Sequence, residues 1–222
     1  MSIAEKLNKI NENIKRFATS ANVKLVAVSK YAEDSQVLEA EKLGVNIFAE
    51  NYVSPALEKM ARLKDRFTGE VAWHLTGTLQ KNKVNKAVGN FALIQSVDSI
   101  SLLERIDSRS KNLAIKQEVL IQINVSASPS KHGFSVAGFQ ENLDKIFSFE
   151  NVEVKGLMTM FEKEESESSF RQQIKVMNDL KNLLQSKNPD NEFDLSMGMS
   201  SDYCEALSGG ASMIRIGREL FG

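Results

Sequence analysis

Short apolar runs alternate with amphipathic stretches along most of the chain. The runs are rich in Val, Ile and Leu, as buried strands are, and the stretches between them place charged residues on one face of a helix. Eight strands are predicted, at 23–28, 46–49, 71–75, 93–97, 118–125, 152–157, 193–196 and 213–216. Helices are predicted between them at 34–43, 51–66, 80–88, 99–110, 136–148, 167–186 and 201–209.

The N-terminal segment predicts a further amphipathic helix, because Ile3, Leu7, Ile10 and Ile14 recur at helical spacing with charges between them. It lacks the continuous apolar core of a signal peptide. No stretch approaches the length of apolar sequence that a membrane span requires.

Repeated strand–helix units indicate a parallel sheet. Eight units in 222 residues predict an α/β fold made of a single (β/α)8 barrel of the TIM type. The barrel is one domain covering residues 1–222, with the extra N-terminal helix plugging or flanking it. An open doubly wound sheet is the alternative. It is disfavoured because the first strand is not followed by G-x-G-x-x-G, and because polar residues follow nearly every strand.

Composition narrows the class of ligand. The formal net charge of −1 gives no electrostatic case for nucleic acid or an anionic membrane surface, so we expect a small-molecule ligand. Cys204 is the only cysteine, which excludes an intramolecular disulfide and suits a reducing compartment. We therefore expect a cytoplasmic protein, and a monomer because no long apolar surface stripe stands out. The basic run 80–86 is interpreted as a solvated helix face.

Chemistry in barrels gathers at the carboxyl ends of the strands, so the residues that follow each strand are the candidates. Lys30 closes the first apolar run, where a lysine is either an ordinary strand-end residue or an amine for Schiff-base chemistry. The other candidates, in chain order, are Asn51, His74, Asn124, Lys131, Thr159, Ser196, Ser200, Arg215 and Gly217.

The segments after strands seven and eight resemble a phosphate-binding turn. Ser200, Ser201 and Asp202 open directly into a predicted helix, where hydroxyl and backbone N–H groups favour an anion, although helix capping alone also explains them. Gly217 follows strand eight, and loops after strands seven and eight are the usual phosphate site of barrels. Glycine there allows a ligand to approach the backbone.

A phosphate site opposite Lys30 suggests a ligand with both a phosphate and an aldehyde, and pyridoxal 5′-phosphate fits. Arg215 would then face the pyridine nitrogen and keep it unprotonated, which weakens carbanion chemistry; a simple ion pair at the barrel mouth is the alternative role. A sugar-phosphate isomerase or aldolase that uses Lys30 shares these features but would be colourless.

His74 is read first as a satisfied histidine at the edge of the core and second as a ligand contact. No metal site is expected, since His132 is the only other histidine and neither has metal-ligand spacing. Trp73, by strand alternation, faces the other way and is expected to pack.

The sequence resembles the pyridoxal phosphate homeostasis proteins (YggS or PROSC type) over almost its entire length. The matching segments are Ala27-Val-Ser-Lys30, Glu50-Asn-Tyr52, Trp73-His74-x-x-Gly77-x-Leu-Gln80-x-Asn82-Lys83, Gln122-Ile-Asn124, Lys131-x-Gly133, Gly156-Leu-Met158, Leu195-Ser-Met-Gly-Met-Ser200-x-Asp202 and Arg215-Ile-Gly217. Thr76 departs from the isoleucine common in the family.

The resemblance implies a fold-type III pyridoxal-phosphate barrel, similar to the N-terminal domain of alanine racemase, with Lys30 forming the internal aldimine. It also implies phosphate contacts from Ser196 or Ser200 and the backbone near Gly217. Arg215 would lie near the pyridine nitrogen, with Asn51 and His74 lining the ring pocket. The implied function is cofactor homeostasis and delivery, with apo pyridoxal-phosphate enzymes as possible recipients and no robust catalysis.

The alternative is a pyridoxal-phosphate enzyme such as an amino-acid racemase. Racemisation needs a base on each face of the bound substrate, so Lys30 would require a partner. Tyr52, Tyr203 and Lys131 are the only candidates, and nothing in the sequence directs them across the ring. The acidic segment 162–169 is interpreted as a solvated loop and helix start, with a mobile lid as the alternative.

Overall fold

A computed structural model describes residues 1–126, 128, 131–161 and 166–222. Its eight parallel strands close into a barrel in chain order, which confirms the predicted TIM-type fold. The strands are β1 Lys24–Val28, β2 Ile47–Glu50, β3 Ala72–Leu75, β4 Leu93–Val97, β5 Gln117–Gln122, β6 Val152–Met158, β7 Asp194–Ser196 and β8 Met213–Ile216. Pairing of Val26 with Arg215 closes the barrel between β1 and β8.

Helices surround the barrel. Their bounds are α1 Ile3–Phe17, α2 Asp34–Lys42, α3 Val53–Leu63, α4 Val84–Ala87, α5 Ile100–Leu113, α6 Val136–Glu141, α7 Leu143–Phe147, α8 Glu167–Lys187, α9 Tyr203–Ser208 and α10 Arg218–Phe221. The N-terminal helix α1 flanks the barrel, where it packs against α9 and α10. No helix among the described residues is long and apolar enough to cross a membrane.

Three predicted elements differ from the structure for reasons that its contacts show; the bounds of the others shift by at most three residues, and the short helix α10 was not predicted. Strand β5 ends at Gln122, not at residue 125, because the chain next pairs with a later segment: Asn124 N donates to Phe134 O and Phe134 N donates to Gln122 O. The helix predicted at 136–148 is divided at Asn142, whose side-chain amide donates to Gly138 O. The helix predicted at 80–88 is a 3-10 turn at Lys81–Lys83 followed by the single turn of α4.

Alternation along the strands separates two environments. Inside the barrel, Met213 and Val26 belong to a small apolar cluster, whereas Ile214 and Ile216 face the larger core between sheet and helices. Trp73 lies in that outer core against Phe48, which confirms its predicted packing role.

Helix α8 begins at Glu167, as predicted, with the Ser166 hydroxyl accepting the Ser169 N–H as its N-cap. Residues 162–165, the first half of the acidic segment to which the lid hypothesis applies, lie outside the described residues, and so does Ser130.

Candidate functional site

A cavity of about 540 Å³ opens at the carboxyl end of the barrel. Lys30 and Arg215 line it together with Asn51, Ser200 and Gly217, so five of the seven predicted site residues share one cavity. Arg218 also lines it, although the sequence analysis did not select that residue. Among the described lining residues the charged side chains are all cations: Lys30, Arg215 and Arg218. The cavity is therefore suited to an anionic ligand.

Lys30 lies exposed at the rim, directly after the fully buried Ser29, and its amine lies 5.0 Å from the centre of the Tyr31 ring. The strand end below it is fixed because Ser29 N donates to Ala49 O and the Ser29 hydroxyl donates to Glu50 Oε1 at 2.8 Å. The backbone of Lys30 is thus held while its side chain reaches solvent and the cavity.

A buried ion pair reinforces this loop. The Lys59 ammonium donates to Glu50 Oε1 at 2.9 Å, to Ser29 O at 2.6 Å and to Ala32 O at 3.3 Å. All three donors of the ammonium are used, and the two carbonyls that it holds flank Lys30 on either side. The sequence analysis missed Lys59. Its signal was available, since a lysine three residues after Ala56 falls on the apolar face of α3.

Asn51 is positioned from the neighbouring strand. Its side-chain oxygen accepts a hydrogen bond of 3.1 Å from the Thr76 hydroxyl, which also reaches Glu50 O. A Cβ on Gly77 would lie 2.2 Å from Asn51 O, so only glycine lets the two loops approach this closely. The hydroxyl that distinguishes Thr76 from the family's common isoleucine therefore orients Asn51.

A chain of hydrogen bonds runs through the barrel interior beneath the cavity. Arg215 Nη1 donates to Ser196 Oγ at 2.7 Å, Ser196 Oγ donates to Gln95 Oε1 at 2.7 Å, and Gln95 Nε2 lies 2.9 Å from His74 Nδ1. Ser196 and His74 are both buried in this chain and do not line the cavity. The structure thus favours Ser200 over Ser196 as the serine that faces a ligand.

The direction of this chain determines the state of His74. A guanidinium can only donate hydrogen bonds, so Ser196 Oγ must accept one from Arg215. The Ser196 hydroxyl then donates its own hydrogen bond to Gln95 Oε1. The amide nitrogen of Gln95 then faces Nδ1, which must accept and is therefore unprotonated. Burial acts in the same direction and lowers the pKa of His74 to about 4.

Gln95 was the second residue that the sequence analysis missed. It is fully buried in the interior of β4, so a large polar side chain in a predicted buried strand was the available signal.

Arg215 is itself nearly inaccessible, and its Nη2 donates to Thr159 O at 2.7 Å. Burial lowers its pKa to about 10, against a smaller opposing effect of the Asp202 carboxylate. The guanidinium therefore remains charged at neutral pH and is held by neutral acceptors beneath the cavity.

The loop after β7 is shaped by Asp202, whose Oδ1 accepts the Met199 N–H at 2.5 Å. Burial raises the pKa of this carboxyl group. Ser200 Oγ accepts the Glu219 N–H at 3.4 Å, which joins this loop to α10. A Cβ on Gly217 would lie 3.2 Å from Val28 O, so glycine lets the segment after β8 pack closely against the end of β1.

Of the three candidates for a second base, Tyr203 and Tyr52 lie outside the cavity lining, whereas the Lys131 amine contacts the cavity wall. The hydroxyl of buried Tyr203 meets Asn13 Nδ2 at 2.6 Å and Glu219 Oε1 at 3.4 Å, on the side of α1. Tyr52 is exposed and does not line the cavity. Lys131 Nζ donates to the backbone oxygen of Met160, a residue of the cavity wall.

Comparison with known proteins gives a consistent result. The family described as "Alanine racemase, N-terminal domain" matches residues 6–222. A pyridoxal phosphate homeostasis protein of Aquifex aeolicus is 33% identical over 227 residues, covering 100% of this chain and 98% of the relative. The Homo sapiens protein of the same name is 35% identical over 210 residues, covering 90% and 76%.

Solved structures agree with the fold. PipY of Synechococcus elongatus, solved with PLP bound, superposes with a TM-score of 0.88 at 33% identity and full coverage of both chains. The same protein without PLP gives a TM-score of 0.90. An alanine racemase of Clostridium difficile gives a TM-score of 0.74 at 18% identity, covering 98% of this chain and 56% of the racemase, which shows a shared fold alone.

Replacing Lys59 with methionine is expected to lower the free energy of unfolding by about 3 kcal/mol, because it leaves the buried Glu50 carboxylate unpaired. Adding Glu50→Gln should recover part of the loss, since no buried charge then remains. Urea denaturation measures both effects. Lys64→Met, at the exposed end of α3, is the control and should change stability by less than about 0.5 kcal/mol. Equal stability of the Lys59 and Lys64 variants would contradict the assigned role.

The pKa of His74 predicts a pH dependence of stability. It is lowered from 6.5 to about 4 in the folded protein, so the unfolded chain binds more protons between these values. Stability is therefore complete above pH 6.5 and declines as the pH falls towards 4, by about 3 kcal/mol from this group. Denaturant titrations measure the free energy of unfolding at pH 7 and pH 4. The loss between the two pH values should be larger in wild type than in His74→Asn by that contribution. Identical pH dependence in the two proteins would refute it.

Proposed function

The chain belongs to the family described as "Alanine racemase, N-terminal domain", and we propose that it binds pyridoxal 5′-phosphate and serves in its homeostasis as a carrier. The full-length relatives named pyridoxal phosphate homeostasis protein support this proposal. So does the PLP-bound state of PipY, which shares 33% of its sequence with this chain.

The observation that carries the proposal is the cation-lined cavity with an exposed primary amine at its rim. Pyridoxal phosphate brings a phosphate, a phenolic oxygen and an aldehyde that condenses with a primary amine. Lys30 supplies such an amine, and Arg215 supplies a fixed positive charge in the cavity wall. Ser200 adds a hydroxyl, and Gly217 lines the cavity with its backbone alone. The residues present therefore fit the cofactor.

Each side of the cavity has its own role in this proposal. Lys30 is the covalent attachment point, held in place through Ser29 by Glu50 and Lys59. Arg215 faces the pyridine nitrogen and, as a permanent cation, keeps that nitrogen unprotonated. Ser200 and the backbone at Gly217 hold the phosphate. His74 acts from below as a support of Arg215, through Ser196 and Gln95, rather than as a wall of the ring pocket.

A carrier role, without robust catalysis, is preferred over a racemase. A racemase needs a second base opposite Lys30. The hydroxyl of Tyr203 is engaged by Asn13 on the side of α1, and the Lys131 amine donates to the backbone oxygen of Met160. The exposure of Lys30 also favours release of the cofactor over chemistry that depends on excluding water. Apo enzymes that need pyridoxal phosphate are the proposed recipients, in the cytoplasm, with the carrier acting as a monomer.

Wild-type protein incubated with pyridoxal phosphate and dialysed is expected to show a visible absorption band. Borohydride reduction should leave a phosphopyridoxyl group on Lys30, identified by peptide mass spectrometry. Lys30→Ala should lose both signals yet retain weaker, saturable binding through Arg215 and Ser200. Lys24→Ala is the control and should be labelled normally, because the exposed Lys24 amine pairs with Asp194 at the opposite end of the barrel. A colourless, unlabelled wild type would overturn the proposed function.

Incubating loaded protein with single enantiomers of amino acids is expected to give no conversion above that of free pyridoxal phosphate. Chiral chromatography of alanine, serine and glutamate measures the enantiomer ratio over time. An authentic alanine racemase is the positive control. Turnover well above the rate with free cofactor would replace the carrier with the enzyme alternative.

A further inference from the structure

Arg218 is the cation in the cavity to which no role has been assigned. It is the first residue of α10 and lines the same wall as Ser200 and Gly217. Building on the proposed function, we propose that the Arg218 guanidinium is the counter-ion of the cofactor phosphate and makes the site selective for the phosphorylated form of the cofactor.

The first support is the charge arrangement on α10. Its two charged side chains have different surroundings: Glu219 is half-buried, and it meets Lys9 of α1 at 3.3 Å and the Tyr203 hydroxyl of α9 at 3.4 Å. Arg218 is exposed and is one of the residues that line the cavity. Within the part of the chain that the structure describes, its guanidinium has no ion pair or hydrogen bond. Glu219 therefore does not neutralise it, and its charge remains available to a ligand.

The second support is the inventory of charges around a bound phosphate. Lys30 is committed to the aldehyde, and buried Arg215 is fixed beneath the ring by Ser196 and Thr159. Without Arg218, the phosphate dianion would be held by hydroxyls and backbone N–H groups alone. A guanidinium presents N–H donors in a fork that matches a phosphate, and charge-assisted bonds are about twice as strong as neutral ones.

The third support is position. The hydroxyl of Ser200 accepts the backbone N–H of Glu219, so the loop after β7 and the start of α10 are joined where the phosphate is expected. Arg218 lies immediately after Gly217 and directly before this contact. A phosphate beside Ser200 and Gly217 is therefore within reach of the Arg218 side chain, whereas Lys30 approaches the cavity from the end of β1, the strand that neighbours β8 in the barrel.

The test compares pyridoxal phosphate with pyridoxal, which has the same aldehyde and ring but no phosphate. Dissociation constants are measured by absorbance titration for wild type, Arg218→Gln, Arg218→Lys and Arg66→Gln. Arg66 is exposed and does not line the cavity, so its variant controls for the change in net charge. Pyridoxal forms an internal hemiacetal, which lowers its apparent affinity. This effect cancels because the affinity of each variant for pyridoxal is compared with that of wild type.

We expect Arg218→Gln to weaken pyridoxal phosphate binding about tenfold, as for one charge-assisted contact, while pyridoxal binding stays within twofold. Arg218→Lys should recover much of the loss, and salt should weaken binding less in Arg218→Gln than in wild type. A general structural role would weaken both ligands alike, so an equal loss for the two would overturn the inference. Unchanged affinity in Arg218→Gln would also overturn it and leave the proposed function standing. Wild type that binds neither ligand would overturn both.

Discussion

The Arg215 side chain can only donate hydrogen bonds, and this fixes the direction of the hydrogen-bond chain inside the barrel. Its guanidinium is buried with Ser196 and Thr159 as neutral acceptors. The Ser196 hydroxyl therefore donates its hydrogen bond to the side-chain oxygen of Gln95, and Gln95 in turn presents its amide nitrogen to His74. The histidine stays neutral, so the interior does not have to hold a second buried cation. The positive charge of Arg215 lies in the cavity wall, where it favours an anionic ligand.

The two sides of the cavity are held by separate sets of contacts. On the β1 side, the Lys59 ammonium joins Glu50 to the backbone on both sides of Lys30. On the β7 and β8 side, Asp202 shapes the loop that carries Ser200. The covalent attachment point and the anion site therefore do not depend on the same residues. A carrier benefits from this separation, because the ligand can be held by its anionic end while its bond to the amine is made or broken.

The barrel could be predicted from the sequence because strand and helix patterns alternate along the chain, and each strand lies beside the next one in the sheet. The position of Lys30 followed for the same reason, since a residue just after β1 must lie at the barrel mouth. Contacts between distant segments could not be predicted. The pairing of Asn124 with Phe134 shortened β5, and the hydroxyl of Ser196 proved to belong to Arg215 and Gln95. The sequence around β7 does not reveal that Ser196 faces a buried partner and that Ser200 lines the cavity.

Trp73 is the one tryptophan of the chain, so the outer core and the barrel mouth can be given separate optical signals. Trp73 is buried in the outer layer against Phe48 and Phe67, on the face of β3 opposite His74. Its emission therefore reports on how the helices pack against the sheet, whereas a chromophore on Lys30 reports on the barrel mouth. Unfolding and loading can be followed in one cuvette without an added label, so a variant that releases its ligand is distinguished at once from a variant that melts.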